Sequence, residues 1–274
     1  MKTIILMPVY QSATFFDVVT SSLYELNPQP ELYVFAEHNS TDGTLEMIQQ
    51  FKRPKKVIRL RFTEHAVQSG KLPSQHLQTA YDVVGVVRQV LLQVARKLDP
   101  DFAIFIDSDI RIRSHDLISR LTRWQNYADI VGGPIRRLSL CGVYFDVIYP
   151  DWSATPWRQP PDVILSDAMV VGAGCMCLPR EVIQDHRLYF YPVIHEVLPT
   201  DYPSIKGEQS FVPSRCYYAE DVAFCMYAGK LGYRIAADWS ILLDHWADNR
   251  IKPWTLTRPN APPAIGPGMW LPGD

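Results

Sequence analysis

The stretch that most restricts the fold is Phe102-Ala103-Ile104-Phe105-Ile106-Asp107-Ser108-Asp109, an apolar run that ends in two carboxylates one residue apart. A short unbroken apolar run predicts a strand buried on both faces, as in the middle of a parallel sheet. Ligand sites in open α/β sheets lie at the carboxyl ends of such strands, which puts Asp107 and Asp109 where chemistry is expected. Charges pressed against a core strand are costly unless something pairs with them. Two carboxylates offer hard oxygen ligands, so a divalent cation such as Mg²⁺ or Mn²⁺ is one suitable partner. Asp-Ser-Asp is equally good turn chemistry, and three residues do not choose between these readings.

The flanking sequence supplies the sheet. Thr3 to Val9 reads as a strand, and Ser12 as the N-cap of a helix through Tyr24, broken after that by Asn27-Pro28. Glu31 to Ala36 is a second strand. A polar turn, Glu37-His38-Asn39-Ser40-Thr41-Asp42-Gly43-Thr44, then feeds a helix over Leu45 to Phe51, with Asp42 as its N-cap. Lys56 to Phe62 is a third strand, and this alternation predicts a doubly wound parallel sheet. From Gln78 to Leu98 the residues Val83, Val87, Val90, Leu91, Val94 and Leu98 recur at helical spacing. Arg88 lies off that stripe, near the strand ends if the helix packs antiparallel to the sheet.

Ser114 to Tyr127 is predicted helical and Asp129 to Gly133 extended. Residues 136 to 165 carry many aromatics and prolines, Trp152 and Trp157 among them, and read as a long functional loop. Ala168 to Leu178 is one apolar run with Gly172 and Gly174 inside it, and Pro179 starts a short helix. A second aromatic loop spans Leu188 to Pro213. Glu220 and Asp221 fall in the first turn of a helix that Gly229 and Gly232 end. Arg234 to Ala237 and Ser240 to Leu243 read as closing strands, the second running into Asp244-His245-Trp246. The stretch from Ile251 to Asp274 holds six prolines and forms no regular core element.

Composition narrows the class of protein. Net charge is -2, which implies no global attraction to nucleic acid or anionic membrane, although Arg111, Arg113, Arg136 and Arg137 could form a local basic patch. The cysteines number five and contain no Cys-x-x-Cys pair, which argues against a disulfide framework or zinc site. Cys175 and Cys177 alternate with Met176 and are expected to pack on one strand face. No segment reaches about 20 apolar residues, and a soluble cytoplasmic protein is the expectation.

Taken in order, Pro8-Val9-Tyr10, the turn from Asn39 to Thr44, Arg88, Asp107-Ser108-Asp109, Gly172-Ala173-Gly174, Glu220-Asp221 and His245 resemble the GT-A class of nucleotide-sugar glycosyltransferases. The likeness runs from Ile4 to about Trp246 and is greatest to the large inverting, family 2-like group. It implies an α/β GT-A fold, a Rossmann-like, mostly parallel central sheet flanked by helices, with a smaller acceptor-side sheet. Residues 1–250 would form one domain, with a nucleotide-sugar half (1–113), an acceptor half (114–250) and a Pro/Gly-rich tail beyond. The resemblance implies that Pro8, Val9, Tyr10, Glu37 and Asn39 bind the nucleobase end of the donor. It places Arg88 near the diphosphate, and Gly172 and Gly174 against the sugar. Asp107, Ser108 and Asp109 would hold the diphosphate, with Asp107, Asp109 and His245 binding Mn²⁺ or Mg²⁺. Asp221 is implied as catalytic base, with Glu220 holding the acceptor, an order that could be reversed.

The expected reaction is a single transfer from a UDP-sugar to an acceptor hydroxyl, with inversion. The acceptor stays open among glycan, lipid carrier, protein, small molecule and modified DNA base. A histidine ligand also occurs in retaining relatives, so the stereochemistry stays open too. A sugar nucleotidyltransferase would carry a glycine-rich basic loop after the first strand, where this chain has Pro8-Val9-Tyr10-Gln11-Ser12. Four acids at 107, 109, 220 and 221 argue against a non-catalytic sugar-nucleotide-binding protein.

Overall fold

The computed structural model describes residues 1–62, 75–139, 142–145, 147–148, 164–190, 193–195, 216–218 and 220–246. The chain begins with alternating strands and helices: β1 (Thr3–Val9), α1 (Ala13–Tyr24), β2 (Leu32–His38), α2 (Thr44–Gln50) and β3 (Lys55–Leu60). The long amphipathic helix α3 (Gln75–Leu98) and strands β4 (Phe102–Ile106) and β5 (Ile110–Ile112) follow, then α4 (Leu117–Thr122) and β6 (Ile130–Gly132). Short strands come next: β7 (Arg136–Ser139), β8 (Gly142–Phe145), β9 (Val147–Ile148), β10 (Leu165–Ala168), β11 (Val170–Val171) and β12 (Cys175–Pro179). The described chain closes with α5 (Arg180–Gln184), β13 (Val193–His195), β14 (Cys216–Tyr218), α6 (Glu220–Lys230), β15 (Ile235–Asp238) and β16 (Leu243–His245).

Among the described residues the main sheet has eight strands in the order β10-β15-β6-β12-β4-β1-β2-β3. β4, β1, β2 and β3 run parallel, with Ile5 opposite Ile104 on one side and Tyr33 on the other. β12 enters antiparallel between β4 and β6, its Cys177 facing Ile104 on one neighbour and Val131 on the other. β15 is parallel to β6, and β10 closes the edge antiparallel. The sheet is therefore parallel through β4, β1, β2 and β3, as the alternation predicts, and mixed around β12. Four two-stranded ribbons accompany it: β5 with β16, β7 with β8, β9 with β11, and β13 with β14.

Strand alternation sorts the core into two layers. Ile4, Leu6, Val34, Ala36, Ala103 and Phe105 face α3, which buries Val87, Leu91 and Ala95 against them. Ile5, Met7, Tyr33, Phe35, Ile104 and Ile106 face the other way, toward Phe16, Val19 and Leu23 of α1 and Ile48 of α2. Every residue of β4 is buried, as an apolar run covered on both faces requires. Cys175 and Cys177 share the α1 face of β12, while Met176 faces α3. Burial, with Cys175 beside it, raises the Cys177 thiol well above its ordinary range, and burial pushes Cys225 on α6 up to about 12.

Four expectations need correction. β2 runs to His38, because pairing with β3 continues through Glu37 opposite Arg59 and His38 opposite Leu60. The helix expected over 114–127 stops at Thr122. Beyond it Tyr127 and Ala128 both donate backbone N–H to the Trp124 carbonyl, and the Trp124 indole donates to Asp238 Oδ2 at 2.7 Å. The apolar run 168–178 breaks at the glycines into β11, a turn and β12. Strands β7, β8, β9 and β10 occupy part of the stretch expected to be loop. Trp152, Trp157 and the tail from residue 251 lie outside the described residues, as does most of the loop expected over 188–213. No helix among the described residues is long and apolar enough to cross a membrane.

Gly132 on β6 is where β11 packs down on the sheet. A Cβ there would lie 2.5 Å from Val171 Cβ, the rigid base of a β-branched side chain. Gly132→Ala is expected to cost about 1–3 kcal/mol through overpacking, read as a lower urea midpoint with an unchanged m-value.

Candidate functional site

The carboxyl end of β4 delivers Asp107 to a buried ion cluster. Its backbone N–H donates to the Gly174 carbonyl at 3.1 Å, and its Oδ1 accepts from Arg88 Nη2 at 2.5 Å. The other terminal nitrogen of Arg88 donates to Glu220 Oε1. Arg88 is 4% exposed and Glu220 2%, so α3 and the start of α6 are joined here through the interior. Burial alone would lower the guanidinium pKa, but Asp107, Glu220 and Asp221 outweigh it and hold the charge firmly. Burial pushes the Glu220 carboxyl up to about 7. The charge of Arg88 opposes that rise, and Asp221 and Asp107 add to it. The arginine expected beside a diphosphate is thus spent within the protein. The acid expected to hold the acceptor is turned inward to meet it.

Asp221 follows Glu220 and points elsewhere. Its Oδ2 accepts from the Ala173 backbone N–H at 3.3 Å and its Oδ1 from that of Val222 at 2.8 Å. The turn 172–174 therefore lies between two acids, because Asp107 leans on its far end. A Cβ on Gly174 would sit 2.9 Å from Asp107 Oδ2 and 2.5 Å from Ile135 Cδ1, so only glycine lets this close approach stand.

Asp109 belongs to a different element. β5 pairs antiparallel with β16, with His245 opposite Ile110, and the Trp246 N–H donates to the Asp109 carbonyl at 2.8 Å. This ribbon sets His245 Nε2 3.2 Å from Asp109 Oδ2. An octahedral ion with bonds of about 2.1 Å spans about 3 Å between adjacent ligands, so the pair fits two neighbouring positions on one cation. Among the described residues no group of three or more His, Cys, Asp or Glu side chains could hold a metal ion. Asp109 and His245 are brought together, and Asp107, committed to Arg88, does not join them.

At the end of β1, Pro8 and Val9 are buried and Tyr10 is 51% exposed. The Tyr10 and His38 rings stack, with centroids 4.7 Å apart and planes within 6°. Ser12 Oγ donates to the Tyr10 carbonyl at 3.0 Å and lies 2.9 Å from Ser108 Oγ, tying β1 to the Asp107–Asp109 turn. Ser12 precedes α1 as expected but makes no side-chain cap bond.

Glu37, expected at the nucleobase, is corrected by the strand that contains it. It is fully buried on the α1 face, accepts from the Ser40 N–H at 2.8 Å, and lies 3.7 Å from both Arg59 and Arg61. Alternation sends the next residue, His38, to the opposite face. Asn39 adopts a φ of 49° and closes β2 onto Phe62, donating to its carbonyl at 2.7 Å and accepting from its N–H at 3.1 Å. The N-cap of α2 is Gly43, at a φ of 93°, and not Asp42. Asp42 instead accepts from Thr44 Oγ1 and N–H and, across the gap, from the Ala13 N–H. The sequence reading missed His38 and the β5–β16 ribbon. Extending the β2 alternation by two residues would have found the first.

No family model matches this sequence, and no curated protein is similar to it. Solved structures are similar in fold. S. aureus TarS 1–349 superposes with a TM-score of 0.50 at 19% identity, over 86% of this chain and 58% of that one. A longer TarS structure gives 0.50 at 18%, over 86% and 35%. The mannosyltransferase PcManGT from Pyrobaculum calidifontis, in complex with GDP-Man and Mn²⁺, gives 0.47 at 13%, over 85% and 53%. The chain spans about three-fifths of the shorter TarS chain and a third of the longer. The likeness to TarS shows the fold, a mixed α/β sheet of the GT-A kind.

The buried cluster makes two predictions. Arg88→Leu strands Glu220 and should cost about 3–5 kcal/mol, because the buried carboxyl must then either stay charged without its cation or take up a proton. Arg88→Leu with Glu220→Leu should recover most of it, both read by denaturant unfolding. The raised Glu220 pKa also makes stability depend on pH. Between its unfolded value near 4.5 and about 7 the folded chain holds a proton that the unfolded chain has released. This contribution to stability is therefore complete below pH 4.5 and is lost as pH rises through 7. Melting temperatures of the unaltered chain should fall over that range relative to Glu220→Gln.

Proposed function

We propose that the chain is a metal-dependent glycosyltransferase that moves a sugar from a nucleotide sugar to an acceptor hydroxyl, in single additions and with inversion. The observation that carries this reading is that Asp107 and Asp221, more than a hundred residues apart, flank one turn at 172–174. One acid lies on the Asp109–His245 side, where a leaving diphosphate is accommodated, and the other, hydrogen-bonded to the Ala173 and Val222 backbone rather than to Arg88, stands where an acceptor approaches. The donor half is assigned to residues 1–113 and the acceptor half to 114–250.

In this reading the nucleobase lies at Tyr10 and the sugar over the Val171–Gly174 turn, whose glycines admit close backbone approach. Asp109 and His245 would hold Mn²⁺ or Mg²⁺, which when bound would neutralise charge on the departing diphosphate. Asp221 accepts the proton of the acceptor hydroxyl as its oxygen attacks the anomeric carbon. The bond to the diphosphate oxygen breaks on the opposite face, and the configuration inverts. Arg88 and Glu220 touch no substrate here; they set where Asp107 and Asp221 stand.

Hydrolysis of a panel of nucleotide sugars, with and without Mn²⁺, tests the reading. UDP-GlcNAc is the first probe because TarS 1–349 has been solved with it. Metal-dependent release of UDP is expected, and no turnover with any donor would overturn the assignment. Asp221→Asn should lower transfer about 10²–10⁴-fold while leaving UDP affinity unchanged. Loss of both would mean the base is misassigned. His245→Ala should raise the Mn²⁺ concentration for half-maximal rate, and an unchanged requirement would make the histidine structural.

A further inference from the structure

We infer that His38 is a positioning residue of the site proposed above: it holds the Tyr10 ring, on which that reading lays the donor's nucleobase, without itself reading the base. The inference rests on the nucleotide-sugar reading above and names a residue for which that reading has no role. Tyr10 is half exposed at a strand end where large aromatics are normally covered. His38 covers one face of its ring at 4.7 Å, nearly parallel, and leaves the other for a planar ligand. His38 is itself wedged in place. It is 7% exposed, and the Phe62 ring meets it edge-on at 5.7 Å and 83°. Asn39 in turn clamps the Phe62 backbone through two hydrogen bonds. Burial lowers the imidazole pKa against the pull of Glu37, so the ring behind Tyr10 is neutral near pH 7.

Position supports a nucleoside diphosphate as the ligand class. The Tyr10 carbonyl, Ser12 Oγ and Ser108 Oγ form a continuous chain that ends between Asp107 and Asp109. A base lying on the open face of Tyr10 thus sits beside the turn that would receive its diphosphate. Glu37 is buried on the other face of β2 and brings no carboxylate to the base. Stacking acts on the π-face that every base possesses, so a change at the platform should affect purine and pyrimidine nucleotides alike.

Calorimetric titration of the full chain with UDP and with GDP, in the presence of Mn²⁺, tests this. Tyr10→Ala should weaken both nucleotides about tenfold, the order expected for one stacked base, whereas Tyr10→Phe should hold both within about twofold. His38→Ala should weaken UDP and GDP by the same factor, and His38→Phe, which keeps the ring and discards its nitrogens, should restore them. Loss of affinity in His38→Phe equal to that in His38→Ala would overturn the positioning role. Unequal shifts for UDP and GDP would show that His38 reads the base and would also overturn it. Affinity that survives both Tyr10→Ala and His38→Ala sinks the platform alone. No binding of either nucleotide by the unaltered chain sinks the transferase reading and the platform together.

Discussion

One guanidinium holds the site together. Arg88 reaches from the middle of α3 to Asp107 at the end of β4 and to Glu220 at the start of α6. These elements come from different parts of the chain. A buried charge is tolerable only when paired and hydrogen-bonded, so the three groups must be placed together or not at all. The pairing is imperfect, since Arg88 Nε and Glu220 Oε2 are buried without hydrogen-bond partners. Such a cluster contributes less to net stability than to fixing one arrangement, and the arrangement it fixes is that of the two acids around the glycine turn.

The antiparallel strand β12 explains how early and late segments of the chain meet at one edge. With only parallel strands on both sides of β4, each connection would need its own helical crossover. β12 instead lies against both β4 and β6, and its leading turn emerges beside Asp107. The turn is therefore held by the same sheet that carries Asp107.

The parts of this arrangement that were legible in the sequence are those whose cause is local. β4 was visible because five consecutive apolar residues have few ways to be buried, and α3 because its stripe from Val83 to Leu98 repeats over about four turns. The acids at 107, 109, 220 and 221 stood out because carboxylates beside apolar runs demand an explanation. What could not be read depends on distant partners. Nothing near Arg88 announces that Glu220, 132 positions away, will take its second nitrogen. The end of β2 depends on how far β3 continues to pair, and this decides that Glu37 faces inward while His38 backs Tyr10. β5 and β16 are three residues each, too short to carry a periodic signal, yet their pairing is what brings His245 to Asp109.

The buried thiols carry a consequence for how the fold breathes. A thiol reacts through its thiolate, and burial holds both Cys177 and Cys225 far toward the protonated form. Cys177 lies on the strand between β4 and β6, and Cys225 on the helix whose first turn bears Glu220 and Asp221. Neither can be alkylated at an appreciable rate until its own element opens to water. Their labelling rates are therefore two independent clocks, one for separation of the central sheet and one for release of the acid-bearing helix.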